Sequence, residues 1–402
     1  MPVLGRKTLA DVDLSGKKVL CRVDFNVPME DGKITDDTRI RAVLPTLEAL
    51  SDTVLVLCSH LGRPKGKRKP ELSLRPAAER LGELLGRPVR FVEDCIGERV
   101  ASAVAEMKPG DIALLENTRF YPGEESKDEA ENRAFAEQLA APFEAYVNDA
   151  FGAAHRKHAS SYTVATLLSP AVAGLLMEKE LDQLGRLLEQ PKEGFVAIIG
   201  GAKVEDKLGV VEKLLEKAER VLVGGAMAWA FLKARHYEIG ASLCTDASLE
   251  AAREFYAKAA RGEIDISGLM LPTDCHMRQV WGSGKQHKKV PVTMIRPGWS
   301  ALDIGPATIE TYSSLARSAA TVFWNGPMGW FEHPPYNEGT FALAHAVAEC
   351  SGFTVIGGGD SVAAIEQAGV ADKVSHVSTG GGASLEFVEF GTLPGVEALD
   401  PA

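Results

Sequence analysis

The chain has 402 residues, of which 45% are hydrophobic and 25% are charged, and its formal net charge at neutral pH is −11. This length suffices for two or three domains with packed cores, and the composition excludes a mainly disordered chain. The negative charge argues against a general binder of nucleic acids, although a local basic cleft is compatible with it. No run of about 18 apolar residues occurs, so we expect no membrane span.

The cysteines and the N-terminal residues bear on the expected cellular compartment of the protein. The six cysteines are scattered without a Cys-x-x-Cys pair, and the first residues lack the apolar core of a secretion signal. These features predict free thiols, no structural zinc and a cytoplasmic location.

Short β-branched runs alternate with helical patterns from end to end. In the first half, the sequence predicts strands at 19–23, 54–57, 89–91, 112–115 and 145–147, with helices at 74–85 and 128–140. In the second half, it predicts strands at 195–199, 221–223, 269–271, 321–323, 354–356 and 374–377. A charged amphipathic helix at 177–189 is the predicted connector. This alternation predicts an α/β fold with parallel sheets, in which ligands bind at the carboxyl ends of the strands.

Cationic side chains follow several predicted strands of the first half. They are Arg39, His60, Arg63, Arg119 and Arg156, and Asp24 and Asn26 follow the first strand. Arginine forks suit phosphate and carboxylate oxygens, so convergence of these loops predicts a site for a small polyanion. The alternative is that each arginine is a solvated surface residue.

Glycine-rich turns follow strands of the second half. Gly357-Gly358-Gly359-Asp360-Ser361 and the segment around Gly381 each join a predicted strand to a predicted helix, where backbone N–H groups can bind phosphate. Asp360 could hold magnesium. Gly282-Ser283-Gly284-Lys285 fails the spacing of a Walker loop, and neither turn has the register of a dinucleotide fingerprint.

Two further motifs belong with these turns. Lys203 and Lys207 are four residues apart after a predicted strand, which puts both ammonium groups on one face if a helix starts there. The segment Phe323–Gly329, followed by Phe331-Glu332, combines a rigid turn with a later carboxylate, which could line a nucleoside pocket. By contrast, the basic run 65–69 lacks interleaved aromatic residues and is interpreted as a solvated loop rather than a nucleic-acid site.

Eight blocks spread over nearly the whole chain resemble the phosphoglycerate kinase family. They are RVDFNVP (22–28), SHLGRP (59–64), ENTRF (116–120), NDAFG (148–152), GGAKV (200–204), WNGP (324–327), GGGDS (357–361) and STGGGAS (378–384). The resemblance implies two doubly wound, Rossmann-like parallel-sheet domains joined by a helical hinge. It places 3-phosphoglycerate on residues 1–175, the hinge at 176–190 and the nucleotide on 191–389, with the tail from about 390 to 402 packing back on the first domain.

The resemblance also implies an activity and residue roles. The activity is reversible phosphoryl transfer from 1,3-bisphosphoglycerate to Mg-ADP, which gives 3-phosphoglycerate and Mg-ATP in glycolysis and gluconeogenesis. The implied glycerate-binding residues are Asp24, Asn26, Arg39, His60, Arg63, Arg119 and Arg156. The implied nucleotide-binding residues are Lys203, Lys207, Gly224, Gly225, Leu302, Asn325, Pro327, Glu332, Gly357, Gly358, Gly359, Asp360 and Ser361. Arg39, Lys203, Gly358 and Gly381 would act on the transferring phosphoryl group, and Asp360 would hold Mg²⁺. A monomer without nucleic-acid partners is expected.

The sequence departs from the usual family pattern at several positions. Glu205 stands where serine is common, Ala226 replaces a glycine, and His236 takes the place of a common glycine. The segment 275–289 is unusual and is interpreted as a variable surface excursion. Phe390-Gly391-Thr392 replaces a common Glu-Gly-Lys.

Phosphoryl transfer requires alignment and charge compensation rather than a general base, because the attacking oxygen is already ionised. Two rival functions are a nicotinamide-dependent dehydrogenase, against which the missing fingerprint counts, and a binding protein without turnover, which the complete set of charged residues disfavours.

Overall fold

The computed structural model describes residues 5–280 and 286–402, and the chain divides into two compact units. The first unit comprises the described residues up to Asp182 together with Thr392–Ala402, and the second comprises Gln183–Gly391. Within the described ranges, no helix combines the length and the apolar character that crossing a membrane requires.

The first unit is built on a six-stranded parallel sheet. The strands in chain order are β1 (Lys18–Arg22), β2 (Met29–Glu30), β3 (Lys33–Ile34), β4 (Val54–Cys58), β5 (Arg90–Val92), β6 (Ile112–Leu115), β7 (Ala145–Asn148) and β8 (Ala171–Ala173). The sheet order is β5-β6-β4-β1-β7-β8, while β2 and β3 form a separate antiparallel pair. The central strands are apolar on both faces, as expected for a sheet covered by helices on both sides.

Helices connect these strands. They are α1 (Thr38–Ala42), α2 (Leu44–Ala49), α3 (Arg75–Leu85), α4 (Glu98–Glu106), α5 (Glu129–Ala140) and α6 (Leu175–Leu188). The buried faces of α1, α2 and α3 contribute Ile40, Leu47 and Leu81 to one hydrophobic core together with β1 and β4.

The second unit contains a second six-stranded parallel sheet and a smaller antiparallel one. Its strands are β9 (Phe195–Ile199), β10 (Arg220–Val223), β11 (Leu269–Met270), β12 (Asp274–Gln279), β13 (His287–Pro291), β14 (Trp299–Ile304), β15 (Thr321–Asn325), β16 (Phe353–Gly357) and β17 (His376–Val377). The parallel sheet has the order β11-β10-β9-β15-β16-β17, and the antiparallel sheet has the order β13-β12-β14.

The helices of the second unit are α7 (Leu208–Lys217), α8 (Gly225–Ala234), α9 (Asp246–Ala260), α10 (Pro306–Ser318), α11 (Glu338–Ala348), α12 (Gly359–Gln367) and α13 (Gly382–Phe390). A last short helix, α14 (Pro394–Glu397), belongs to the first unit. Residues of α10, α11 and α12 pack with β15 and β16 in a second hydrophobic core.

These sheets confirm the predicted α/β class, and two details of the prediction are wrong. The interpretation of 275–289 as a surface excursion fails, because this segment supplies β12 and β13, and Cys275 and His276 are buried. The antiparallel pairing was missed because Asp274–Gln279 has only two apolar residues, Cys275 and Met277, among polar ones. Residues 281–285, including the Gly282–Lys285 motif, lie outside the described residues.

In each parallel sheet, strands are added first on one side of a central strand and later on its other side, so the strand order reverses next to that strand. In the first sheet β4 lies on one side of β1 and β7 on the other, and in the second sheet β10 and β15 flank β9 in the same way. Ligands of doubly wound sheets bind at the carboxyl ends of strands at such points. The topology therefore directs attention to the loops after β1 and β7 and to those after β9 and β15.

Helix α6 begins against the loop that follows β7. The Asp149 carboxylate accepts hydrogen bonds from the backbone N–H groups of Leu176 (2.9 Å) and Met177 (3.1 Å), which the first turn of a helix leaves free. Burial raises the pKa of Asp149 to about 6. The helix starts in the first unit and ends in the second.

The C-terminal residues complete the first unit. The backbone of Asp400 accepts from Lys7 N–H at 2.9 Å and donates to the Ala171 carbonyl at 2.8 Å, while Gly395 N–H donates to the Ala154 carbonyl at 2.8 Å. These contacts attach the last residues to the edge of the sheet formed by β8.

His236 closes helix α8 in a left-handed backbone conformation, with φ of +67°. The N–H groups of His236 and Tyr237 donate to the carbonyls of Lys233 (2.9 Å) and Leu232 (3.1 Å), the pattern of a Schellman cap. Glycine is the usual residue here, because a side chain makes this conformation unfavourable by about 1 kcal/mol.

We expect His236→Gly to stabilise the second unit by about 1 kcal/mol, measured as a higher midpoint of denaturant unfolding. His236→Ala serves as the control, because it removes the imidazole but keeps the Cβ atom. Equal midpoints for the glycine variant and the unmodified protein would contradict this reading of the cap.

Candidate active site

The cationic residues of the first unit converge at the carboxyl end of its sheet. Asp24 and Asn26 follow β1, His60 follows β4, Arg119 follows β6, and Arg156 follows β7. Asp24, His60 and Arg119 are buried, Arg156 is half-buried, and Arg63 is exposed. We name this group, together with Arg39, the arginine cluster.

Arg39 is held against the loop after β1. Its Nη1 donates to Asp24 Oδ2 at 3.1 Å and to the Asn26 carbonyl at 3.2 Å. Asn26 Oδ1 accepts from Gly62 N–H at 2.9 Å, and the Gly62 carbonyl accepts from Arg119 Nη1 at 2.8 Å. A continuous set of contacts therefore joins the loops after β1, β4 and β6.

Asn117 fixes the loop that carries His60. Its side-chain amide donates to the carbonyls of Leu61 (2.7 Å) and Leu72 (2.9 Å), and its Oδ1 accepts from Leu61 N–H at 3.2 Å. Asn117 is fully buried. The ENTRF block thus positions Arg119 directly and His60 through Asn117.

Arg22, which the sequence analysis assigned no role, lies beneath the arginine cluster. It is fully buried at the end of β1, and its guanidinium donates to Ser160 Oγ (2.8 Å), to the Val23 carbonyl and to His60 Nδ1 (3.0 Å). A guanidinium has only donors, so His60 Nδ1 must accept and the His60 proton resides on Nε2. The RVDFNVP block begins with this residue, which was the only signal available.

Three histidines of this unit are kept neutral. Burial and then Arg22 lower the pKa of His60 well below its usual range. Burial and Arg156 lower the pKa of His155 to about 4, and burial and Arg119 lower the pKa of His158 to about 3. Near neutral pH the positive charge here belongs to the arginines, and the imidazoles supply neutral hydrogen-bond donors and acceptors.

The remaining arginines differ in how firmly they are held. Arg119 forms an ion pair with Glu125 at 3.0 Å, and burial lowers its pKa from the usual value. Arg156 Nε donates to His155 Nε2 at 2.9 Å. Arg63 has no hydrogen bond or ion pair to the other members within the part of the chain that the structure describes. An anion could therefore recruit Arg63 without breaking an existing contact.

The nucleotide-type residues of the second unit surround a cavity of about 320 Å³. Predicted residues that line it are Gly225, Leu302, Pro327, Glu332 and Asp360. Gly224 follows β10, Asn325 ends β15 and Ser361 lies in the first turn of α12. Gly224 N–H donates to the Ile199 carbonyl, and Ser361 Oγ accepts from Gly326 N–H. The cavity lies beside β9 and β15, where the strand order of the sheet reverses.

Glycine is required where three loops approach each other. A Cβ atom on Gly200 would lie 2.0 Å from the Pro327 carbonyl oxygen, and one on Gly225 would lie 2.6 Å from the Gly201 nitrogen. Gly225 also adopts a positive φ of +65°. The absence of side chains at these positions therefore lets the loops after β9, β10 and β15 pack directly against one another beside the cavity.

Lys207 lies inside this loop cluster. Its Nζ donates to the Gly200 carbonyl at 2.6 Å and to Asn325 Oδ1 at 2.9 Å. Burial lowers its pKa to about 8, and the nearby carboxylates of Asp360 and Asp206 oppose this shift. The free protein therefore loses the Lys207 proton above about pH 8, whereas a bound anion would favour the protonated ammonium form.

Lys203 and Lys207 do not share a helical face, so this prediction is wrong. Helix α7 begins only at Leu208, and Lys203 lies in the preceding loop with its side chain exposed, 3.8 Å from Asp206. Glu205, one of the departures from the family pattern, accepts from Ser248 Oγ at 2.6 Å. This contact attaches the lysine loop to the first turn of α9.

Both glycine turns join a strand to a helix, as predicted. Gly358 precedes α12 with φ of +91°, and Gly381 precedes α13 with φ of +55°. Space around Gly359 and Gly381 is open, since a Cβ atom there would meet nothing within 4 Å. The backbone at these two glycines is therefore accessible, and the first turn of a helix has N–H groups without helical partners.

The residues near Asp360 fit a magnesium–nucleotide complex. Asp360 is exposed in the first turn of α12 and lines the cavity, and the nearby Asn325 Nδ2 is a buried donor without a partner among the described residues. No group of three or more metal-ligating side chains occurs among the described residues. Mg²⁺ is commonly held by one carboxylate together with phosphate oxygens, which is the donor set that this cavity offers.

Several apolar residues of the cavity were missed by the sequence analysis. Trp229 and Leu243 line it from α8 and from the segment before α9, and Trp330 lines it beside Glu332. Aromatic residues in a turn are usually core residues, which hid Trp330 until its exposure of 42% was known.

Together, the two parallel sheets, the arginine cluster and the glycine turns around a cavity define an α/β phosphotransferase. The family model described as phosphoglycerate kinase matches residues 9–390. The chain belongs to the phosphoglycerate kinase family.

Individual relatives agree with this assignment. Phosphoglycerate kinases of Moorella thermoacetica and Pelotomaculum thermopropionicum are each 51% identical over 398 residues, covering 98% of this chain and 99% of each relative. The solved structure of phosphoglycerate kinase from Coxiella burnetii is similar with 38% identity and a TM-score of 0.83, and that from Pyrococcus horikoshii with 33% identity and a TM-score of 0.83. Each structure covers 98% of this chain and is itself covered to 98%. The protein is thus a kinase of the glycolytic phosphoryl transfer between 1,3-bisphosphoglycerate and ADP.

Proposed function

We propose that the arginine cluster binds 3-phosphoglycerate or 1,3-bisphosphoglycerate, and that the cavity of the second unit binds Mg-ADP or Mg-ATP. The observation that carries this assignment is the division of chemistry between the units. Arginines and neutral histidines gather in the first unit, whereas glycine turns and Lys207 surround a cavity in the second. We propose domain boundaries at about 1–175 and 191–389, separated by the hinge helix at 176–190, with the tail from about 390 packing on the first domain.

The arginines supply the charge that holds the glycerate substrate. Arg63, Arg119 and Arg156 bind its phosphate, Asp24 and Asn26 accept from its hydroxyl or orient Arg39, and His60 donates through Nε2–H. Forked guanidinium groups can bind phosphate oxygens in pairs, which gives orientation as well as affinity.

The second unit binds the nucleotide by shape and backbone donors. Leu302 and Pro327 contact the base from the cavity wall that also includes Gly225, with Gly224 next to it in the chain, while Glu332 accepts from ribose hydroxyls. The turns at Gly357–Ser361 and Gly381 donate backbone N–H groups to phosphates, together with Asn325 and Lys207. When bound at Asp360, Mg²⁺ neutralises charge on the nucleotide phosphates.

Transfer proceeds by charge compensation without a general base. Arg39 and Lys203 approach the transferring phosphoryl group, and N–H groups near Gly358 and Gly381 donate to its oxygens. The attacking oxygen is already ionised in both directions, so no side chain must remove a proton. The exposed position of Lys203 leaves it free to reach this group.

Hinge closure is part of the proposal, because the two substrates bind to different units. Helix α6 passes from one unit to the other, and the buried Asp149 holds its first turn, so α6 is the element that transmits the bending. Closure would also exclude water, which would otherwise hydrolyse the acyl phosphate. We further propose that the protein is a monomer, because one chain supplies every residue that the mechanism uses. We also propose a cytoplasmic location, which the scattered cysteines without a Cys-x-x-Cys pair favour.

The titration of Lys207 provides a test of the proposal that the nucleotide binds to the second unit. Calorimetric titration of the full chain with Mg-ADP is expected to show an affinity about tenfold lower at pH 9 than at pH 7, with proton uptake on binding at pH 9. Lys207 loses its proton above about pH 8 in the free protein, whereas a bound phosphate retains the charged form. Affinity for 3-phosphoglycerate should not share this loss.

Two variants complete the test. Lys207→Met should weaken Mg-ADP binding by about tenfold at pH 7 and remove its pH dependence, since one charged hydrogen bond is lost. Lys213→Met changes an exposed lysine of α7 that pairs with Glu216 and should behave as the unmodified protein. A pH-independent Mg-ADP affinity, or a Lys207→Met variant that loses 3-phosphoglycerate instead, would refute the assignment.

A further inference from the structure

A second cavity of about 390 Å³ lies in the second unit and shares no lining residue with the nucleotide cavity. It is bounded by the C-terminal end of α8, by α9, by the edge strand β11 and by the two residues that follow β13. Its size falls within the range of small-molecule sites. None of the roles proposed above uses it.

Apolar and aromatic side chains form one part of the wall of this cavity, and polar groups form the rest. Leu232, Leu269 and Leu271 line it, together with Tyr237 and the ring of Tyr256. Tyr256 packs edge-to-face on Phe231 (centroids 6.1 Å apart) and on Phe255 (5.6 Å), so its ring is held by the core. A rigid aromatic wall suits a flat apolar group.

One cation stands at the polar end of the cavity. Arg235 is the one charged residue among those that line it, and within the described ranges no carboxylate forms an ion pair with Arg235. The capped end of α8, with His236 in its left-handed conformation, places Arg235 and Tyr237 on this cavity. Arg235 is exposed, so an anion that enters the cavity can reach its guanidinium and pair with it.

The Tyr256 hydroxyl is a second polar group at this end of the cavity. It lies within hydrogen-bond reach of the Arg235 guanidinium. An anion that pairs with Arg235 would therefore also have the Tyr256 O–H beside it as a donor.

We propose that this cavity binds a small amphiphilic anion, namely an apolar or aromatic ring that carries one carboxylate, sulfonate or phosphate group. The ring lies against Tyr256, Leu269 and Leu271, and the anionic group pairs with Arg235. Nothing in this proposal depends on the roles assigned to the arginine cluster or to the nucleotide cavity.

The test uses naphthalene-1-sulfonate as the probe and naphthalene-1-methanol as its neutral counterpart. Calorimetric titration of the full chain is carried out with saturating Mg-ADP and 3-phosphoglycerate, which keep the probe out of the nucleotide cavity and the arginine cluster. The sulfonate is expected to bind at one site, about tenfold more tightly than the alcohol, because only the sulfonate pairs with Arg235.

Arg235→Gln should reduce the affinity for the sulfonate to that for the alcohol, while leaving the affinity for the alcohol unchanged. Arg253→Gln is the matched control, because Arg253 is an exposed arginine of α9 that pairs with Glu250. This control should bind both probes as the unmodified protein does. Absence of saturable sulfonate binding in the millimolar range, or equal sulfonate affinity in Arg235→Gln and the unmodified protein, would overturn the proposal.

Discussion

Replacement of Arg39 by alanine is expected to lower kcat by about two to three orders of magnitude at saturating substrates. Arg39 is pre-positioned by Asp24 and by the Asn26 carbonyl, so its guanidinium needs little reorganisation when charge spreads over the transferring phosphoryl group. Its removal also leaves the Asp24 carboxylate unpaired beside an anionic substrate, so we expect the KM for 3-phosphoglycerate to rise as well. Steady-state kinetics in both directions measure the two effects separately.

The control for this variant is Arg41→Ala. Arg41 belongs to the same short helix α1, but its side chain is 53% exposed and pairs with Asp37 at 2.8 Å. Its loss should leave kcat within about a factor of two, as expected for an exposed ion pair. Near-normal turnover of Arg39→Ala would remove Arg39 from the proposed mechanism.

The second large effect is expected for Asp360→Asn. This change keeps the shape of the side chain and removes the carboxylate proposed to hold Mg²⁺ next to the nucleotide phosphates. We expect the KM for Mg-ADP and the magnesium concentration for half-maximal rate to rise by about 10-fold to 100-fold, which is the range for damaged metal sites. The KM for 3-phosphoglycerate should stay the same, because its proposed site is in the other unit.

Asp372→Asn is a suitable comparison, because Asp372 is an exposed carboxylate of the same unit outside the cavity. It should retain the magnesium dependence of the unmodified protein. If Asp360→Asn also retained that dependence, Asp360 would have no part in holding the metal.

The sequence predicted the parallel sheets well because their central strands are continuous apolar runs. Val54–Cys58 and Phe195–Ile199 are buried throughout, and such runs between helical patterns are typical of parallel sheets. The short edge strand Ala171–Ala173 and the central strand of the antiparallel sheet, Asp274–Gln279, were not predicted, since a three-residue strand carries little periodicity and Asp274–Gln279 has only two apolar residues. Their pairing is decided by the tertiary structure.

For the candidate site, the sequence identified residues in loops better than residues beneath them. Arg119 and Lys207 stand out because charge follows a strand. Arg22 was passed over because it ends a strand and its role depends on His60, which lies 38 positions away in sequence. The start of α7 at Leu208 was not predicted, because residues 202–207 are types that helices accept, and contacts of Glu205 and Lys207 with other segments hold them in a loop.

The central claim is that the glycerate substrate binds to the first unit and the nucleotide to the second. A crystal structure of the full chain with 3-phosphoglycerate and Mg-ADP tests it most directly. We predict density for the glycerate phosphate against Arg63, Arg119 and Arg156, and density for the nucleotide in the cavity lined by Leu302, Pro327 and Glu332. Density for both ligands in one unit, or an arginine cluster without ligand, would contradict the account.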